Sequence, residues 1–149
     1  MRDLCDTQIH QRIEHILART PNASSKYIRQ RLVVCDRTAP LYAYFVPFYD
    51  QGRIDDRADI RQELASLMSM NLGMNLIARE LSNGRYNYRQ VEAELLSVLA
   101  KYDRIEQARR CKELHFGSHP PVDEHHQSHI VMSLQKKGHR LPDIWKILD

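Results

Sequence analysis

An all-α fold of about nine helices follows from three observations on the 149-residue sequence. Apolar residues recur at helical spacing almost everywhere. No segment alternates with period two for long enough to demand a strand. Only five Gly and six Pro interrupt the chain, so long periodic segments can form. Leu, Ile, Val and Phe are plentiful enough to exclude a disordered chain.

Ile9, Ile13, Ile16 and Leu17 share one face of a first helix, with Asp6 or Thr7 as its cap. Pro21 and Asn22 end it, and Ser24 or Ser25 opens a second helix around Ile28 and Leu32. Thr38-Ala-Pro40 reads as a third helix start, followed by Leu41, Tyr44, Phe45 and Phe48. Pro47 predicts a kink there or a shortened helix. Asp55 is expected to cap a fourth helix, with Ile60, Leu64, Leu67 and Met68 inward, and Gly73 introduces a fifth over Met74, Ile77, Ala78 and Leu81. After the Asn83-Gly84 turn, Asn87 and Gln90 have the spacing of a capping box, and Tyr88, Val91, Leu95 and Leu99 are the expected buried face. A seventh helix carries Ile105, Ala108 and Cys111. A loop from His115 to Asp123 follows, then an eighth helix with Ile130 and Leu134. Pro142 opens a ninth, with Leu141, Ile144, Trp145 and Leu148 on one stripe.

One unit recurs. Ile13 to Leu17, Ile77 to Leu81 and Ile130 to Leu134 each run from Ile to Leu over four residues. Each is followed by a polar turn and by paired anchors four apart: Ile28 and Leu32, Val91 and Leu95, Ile144 and Leu148. A helix hairpin cannot bury its apolar face alone, so such units stack. This predicts a single domain over 1–149, with approximate repeats 1–51, 52–100 and 101–149, in an elongated curved array.

Charge is mildly basic, with 22 Lys and Arg against 19 Asp and Glu. The two signs are interspersed, which is weak support for a nucleic-acid partner. Cys5, Cys35 and Cys111 are far apart with no CxxC, as reduced thiols are. No signal-peptide core and no apolar run near 20 residues is present. The expectation is a cytoplasmic protein, with no membrane partner, and a monomer.

The segment Tyr49-Asp-Gln-Gly-Arg-Ile-Asp-Asp-Arg-Ala-Asp-Ile60 resembles the Gly-Tyr-[Ile/Leu]-Asp/Asn-Asp signature of the RecX family of recombination regulators. Leu72-Gly-Met-Asn-Leu-Ile-Ala-Arg-Glu-Leu81 is similar to that family's Lys-Gly-x-x-x-Ile-x-x-Glu-Leu. Leu17-Ala-Arg-Thr, Ser25, Ile28 and Leu32 resemble its opening motif, and Lys136-Lys-Gly-His-Arg-Leu-Pro-Asp-Ile-Trp145 its closing one. The four stand in order over nearly the whole chain. Arg53 replaces an aromatic residue, His139 replaces Phe, Pro47 interrupts a helix, and Met68, Met70 and Met74 fill a region that is basic in the family. The resemblance implies three tandem three-helix repeats and a RecA–DNA filament as partner. It also implies suppression of the recombinase ATPase, strand exchange and coprotease activity, as part of DNA repair and the SOS response.

Basic residues on helix exteriors are the natural contacts with an acidic filament or with phosphates. The candidates are Arg29 and Arg31; Arg79, Arg85 and Arg89; and Lys136, Lys137 and Arg140, expected at equivalent places in the three units. The alternative is a helix-turn-helix-like DNA-binding protein, or a generic helical-repeat adaptor. His115, His119, His125, His126 and His129 invite a metal reading, but residues 125–129 lack the Glu of HExxH. A polar loop and helix start is the expectation, without metal or cofactor. Met68, Met70, Met74 and Met132 are expected to fill the core, and Trp145 to anchor it. No Walker, Gly-x-Ser-x-Gly or Gly-rich phosphate motif occurs, so no enzyme is expected. The Asp55-Asp56 pair reads as negative charge at a helix start.

Overall fold

A computed structural model describes residues 6–32, 41–83 and 85–148. Of the described residues, 72% are helical. Among the described residues there are nine helices and no strand: α1 (Asp6–Arg19), α2 (Ser25–Arg31), α3 (Tyr42–Asp50), α4 (Arg57–Ser69), α5 (Met74–Leu81), α6 (Tyr88–Leu99), α7 (Arg104–Phe116), α8 (Glu124–Lys136) and α9 (Leu141–Leu148). Among these residues no helix is long and apolar enough to cross a membrane. The expected helix start at Thr38 to Pro40, Cys5, Cys35 and Gly84 lie outside the described residues.

The buried side chains fall into three clusters that follow one another along the chain. The first joins α1–α3, with Ile13, Ile28, Phe45 and Phe48 fully enclosed. The second joins α4–α6 through Ile60, Leu64, Ile77, Leu81 and Val91. The third joins α7–α9 through Cys111, Ile130, Leu134 and Ile144. Each enclosed Ile, Leu or Phe contributes about 1.5–3 kcal/mol, so a cluster of this size is what holds each triad of short helices.

The helix starts are set by side-chain caps. Ser24 Oγ accepts Tyr27 N–H at 3.1 Å. Asp103 accepts Ile105 and Glu106 N–H, and Asp123 accepts His126 N–H. Asn87 accepts the N–H groups of Arg89 and Gln90, as half of the expected capping box. The other half is missing: Gln90 reaches away to the backbone of Ile54 and Asp56. Pro47 sits inside the nine-residue α3 on its exposed side, and the helix ends three residues later.

The recurring unit needs one change of phase. The first hairpin lies between α1 and α2, whereas the other two lie between α5 and α6 and between α8 and α9. The counterpart of the α1–α2 turn is the α4–α5 turn. Both place an asparagine, Asn22 or Asn71, in the left-handed region at φ near 60°, which Asn tolerates better than most side chains.

Three expectations about buried faces are corrected. Tyr88 and Leu99 are exposed on α6; its inner face is Val91, Glu94, Leu95 and Val98. Glu94 turns inward because Arg61 on α4 meets it at 2.9 Å, a polar contact that hydropathy does not signal. Met68 and Met74 pack on the second core, but Met70 and Met132 are exposed. Trp145 is 45% exposed and is no core anchor; Ile144 beside it is fully buried.

Candidate partner-binding surface

Among the described residues Asp56 is the most enclosed charged one, at 0% exposure. It begins α4, but its carboxylate does not cap that helix. Asp55 takes the local role, accepting Arg57 N–H at 3.0 Å. The Asp56 carboxylate instead accepts Ser25 N–H at 2.6 Å, Ser25 Oγ–H at 3.0 Å and the Tyr49 hydroxyl. Burial pushes its pKa up, and the bonds from Tyr49 and Ser25 pull against that rise. Burial and the neighbouring carboxylate push the Tyr49 phenol up as well. Gln90 completes the seam. Its Oε1 accepts Asp56 N–H at 2.8 Å and its Nε2 donates to Ile54 O at 3.0 Å. Asp55 N–H donates to Ala23 O, and Asn87 Nδ2 donates to the Tyr42 hydroxyl. The first and second helix triads are therefore joined by a hydrogen-bonded seam around one buried carboxylate. Of the Asp55-Asp56 pair at this helix start, Asp55 has the capping role that the sequence suggested and Asp56 does not.

The second and third triads meet differently. Gly73 N–H donates to Lys137 O at 2.7 Å, and the two turns touch backbone to backbone. A Cβ on Gly73 would lie 2.1 Å from Gly138 O, and one on Gly138 would lie 2.5 Å from Leu76 Cβ. Gly138 also has φ of 93°, so glycine is required twice over there. His139 seals this contact, nearly buried, with Nε2 2.9 Å from Asn71 O. Burial holds its imidazole below the usual pKa. Gln107 Nε2 adds a bond to Met68 O at 2.8 Å.

The eight basic candidates divide by what they touch. Arg29 is half-buried with its guanidinium 5.0 Å from the Phe45 ring centre, and Arg31 lies 3.4 Å over the ring of Tyr27. Arg85 pairs with Glu63 and Asn83. Arg89 donates to the hydroxyl of the exposed Tyr88 at 3.3 Å. Lys137 is half-buried in the Gly73 seam. Arg79, Lys136 and Arg140 are exposed and form no salt bridge among the described residues. Arg29 and Arg31 on α2, Arg79 on α5 and Lys136 on α8 occupy equivalent helices but not equivalent registers, while Arg89 is on α6 and Arg85, Lys137 and Arg140 lie between helices. Arg29 and Arg31 stand one and three residues after Ile28, Arg79 two after Ile77, and Lys136 six after Ile130. Two clefts bring candidates beside basic side chains that spacing did not single out. Arg31 lines one of about 430 Å³ with Arg12 and His15. Arg140 lines another with Arg104, Tyr102 and Asp143.

Arg53 and the histidine segment have their own partners. Arg53 pairs with Glu14 at 2.8 Å and lies over Phe48. The histidine segment is built around Phe116, which His126 and His129 approach edge-on. Lys112, nearly buried, donates to the carbonyls of Gly117 and His119 and closes the loop after α7. Among the described residues no three His, Cys, Asp or Glu side chains are placed to hold a metal ion.

The class that these features define is an all-helical protein of three successive three-helix units joined by polar seams. No protein-family model matches the sequence, and no curated protein matches it significantly.

Proposed function

We propose that this chain is a RecX-type regulator that docks on a RecA–DNA filament and acts by binding. The observation that carries the reading is the run of three helix triads, each with its own core, in chain order. Such stacking gives an extended surface suited to a long partner. The segment from Tyr49 to Ile60, which resembles the family signature, supports it further: its Tyr49 and Asp56 form the first seam.

On this reading the protein is a cytoplasmic monomer that lowers the ATPase, strand-exchange and coprotease activities of the filament. Exposed cations, Arg89 and Arg140 among them, meet acidic filament surface or phosphates. Co-sedimentation with RecA on single-stranded DNA, against DNA alone, tests the partner. In ATPase assays Arg89→Ala or Arg140→Ala alone should weaken inhibition modestly, since an exposed contact contributes roughly 0–1 kcal/mol. The pair should weaken it strongly, because linked weak contacts reinforce one another. Tight binding to bare DNA that these variants abolish, with no dependence on recombinase, would replace this reading with a DNA-binding one.

A further inference from the structure

The larger of the two clefts lies between α1 and α2. Among the described residues, every polar side chain that lines it is a cation or an N–H donor, and none is a carboxylate. Gln8, Arg12 and His15 stand at i, i+4 and i+7 on one stripe of α1, with Gln11 beside them. Arg31, the last residue of α2, completes a space of about 430 Å³. Ile16, packed on the first core, is its apolar wall.

The positive charge there has no counter-ion nearby. Residues 6–32 contain Arg12, Arg19, Lys26, Arg29 and Arg31 against only Asp6 and Glu14. Both carboxylates are engaged elsewhere. Asp6 accepts the Tyr44 hydroxyl at 2.6 Å, and Glu14 meets Arg53 at 2.8 Å and His10 at 3.8 Å. Arg12 forms no ion pair among the described residues. A cleft walled by charges of one sign focuses its field on whatever enters it, and an anion relieves the repulsion between them.

Arg31 is held ready for such a ligand. Its guanidinium lies 3.4 Å over the ring of Tyr27, whose hydroxyl is hydrogen-bonded to Thr20 Oγ1 at 3.1 Å. Apart from one long bond to Tyr27 O at 3.5 Å, a guanidinium held by its face keeps its N–H edges for an acceptor. It also has less freedom to lose on binding. The donor set favours one class of anion. A planar carboxylate is satisfied by a single guanidinium fork. Phosphate has three acceptor oxygens that diverge in space, which suits two guanidiniums, an imidazole and two amides around one cleft. The volume is that of a small-molecule site, roughly 300–1,000 Å³, and exceeds what one phosphate fills.

We propose that the α1–α2 cleft binds a ligand carrying at least two phosphate groups. One is held by Arg12 and one by Arg31, and His15 and the glutamine amides donate to the remaining oxygens. A free polyphosphate compound and two neighbouring phosphates of a nucleic-acid strand share this chemistry. The site stands apart from the filament reading, and its test contains no recombinase.

Sodium tripolyphosphate is the probe. It is titrated into the full chain at physiological salt by calorimetry, with the arginine Nε–H resonances followed by NMR. Saturable one-to-one binding should move the resonances of Arg12 and Arg31. Arg12→Gln and Arg31→Gln should each weaken binding about tenfold or more, the effect of a lost charge-assisted hydrogen bond, with unchanged circular dichroism. Arg110→Gln removes the same charge from the exposed side of α7 and should leave binding as it is. No saturable binding at millimolar tripolyphosphate would overturn the proposal. Equal weakening by all three variants would also overturn it, by showing attraction to the basic chain as a whole. So would inorganic phosphate that binds as tightly as tripolyphosphate, since no second phosphate position would then exist. Competition with a short thymidine oligonucleotide separates the two sources. Displacement of tripolyphosphate by the oligonucleotide assigns the cleft to a strand, and failure to displace it assigns the cleft to a free ligand.

Discussion

Gly73→Ala is the sharpest test of the contact between the second and third units. Gly73 has φ of −76° and ψ of 154°, a conformation that alanine adopts without strain. On backbone entropy alone the substitution should stabilise the protein by about 0.4–1 kcal/mol. Packing says the opposite. The new Cβ would stand 2.1 Å from Gly138 O, 2.2 Å from Gly138 C and 2.5 Å from His139 N, all of them backbone atoms that no rotamer change can move aside. Relief requires the two turns to separate by about 1.4 Å, since non-bonded heavy atoms attract only near 3.5 Å. That separation breaks the Gly73–Lys137 bond at 2.7 Å and the His139–Asn71 contact at 2.9 Å. Overpacking costs about 1–3 kcal/mol, and each hydrogen bond about 1 kcal/mol. We expect Gly73→Ala to destabilise by about 2–4 kcal/mol in urea unfolding followed at 222 nm. Gly52→Ala is the control, with φ of 70° but open space around it. It should cost about 1–2 kcal/mol from the left-handed backbone alone. A Gly73→Ala protein as stable as wild type, or more so, would refute the contact.

At the other seam, Asp56→Ala leaves Ser25 N–H, Ser25 Oγ and the Tyr49 hydroxyl without their acceptor. It should cost about 2–4 kcal/mol, against about 1 kcal/mol for Tyr49→Phe; equal losses in denaturant titrations would contradict the shared-acceptor geometry. Burial holds the folded His139 pKa below the ordinary imidazole value of about 6.5, so the folded state binds fewer protons than the unfolded one. Its contribution to stability is full above about pH 6.5 and is lost as pH falls through the lowered value. Unfolding free energies between pH 7.5 and 5 should therefore fall less steeply in His139→Phe than in wild type, and parallel curves would show that His139 takes no part. Leu141→Glu, on an exposed position, should leave the melting temperature within a few degrees of wild type.

Helix identity was the most legible part of the sequence. Ile13, Ile28, Ile77, Ile130 and Ile144, each placed inward by spacing, have no exposed surface. What spacing cannot show is which neighbour covers a given face. Tyr88 and Trp145 sit on stripes that read as buried, yet they lie at the margin where only an adjacent unit could cover them. The seams escaped for a related reason. Ser25 and Asp56 are separated by 31 residues and Asn71 and His139 by 68, and each looks locally like an ordinary cap or turn residue. Glu94 and Gln90 were hidden by their type, since a polar residue on an inner face is recognisable only with its partner in view. The closest signal was the Asp55-Asp56 doublet, because one carboxylate suffices for a cap and the second was left without a local task.

The separation of the core into three consecutive clusters bears on how the protein is made. The first cluster is complete once Ile54 has been synthesised, and the second once Val98 has. Contacts so local in sequence form quickly, and segments fold in order as they leave the ribosome. The first triad must nevertheless wait for Gln90 before the backbone of Ile54 and Asp56 gains its partner. At the slower end of translation, roughly 5 residues per second, that interval lasts about seven seconds. During it Tyr42 also waits for Asn87, whereas Tyr49 already has the Asp56 carboxylate, so one end of α3 is held well before the other.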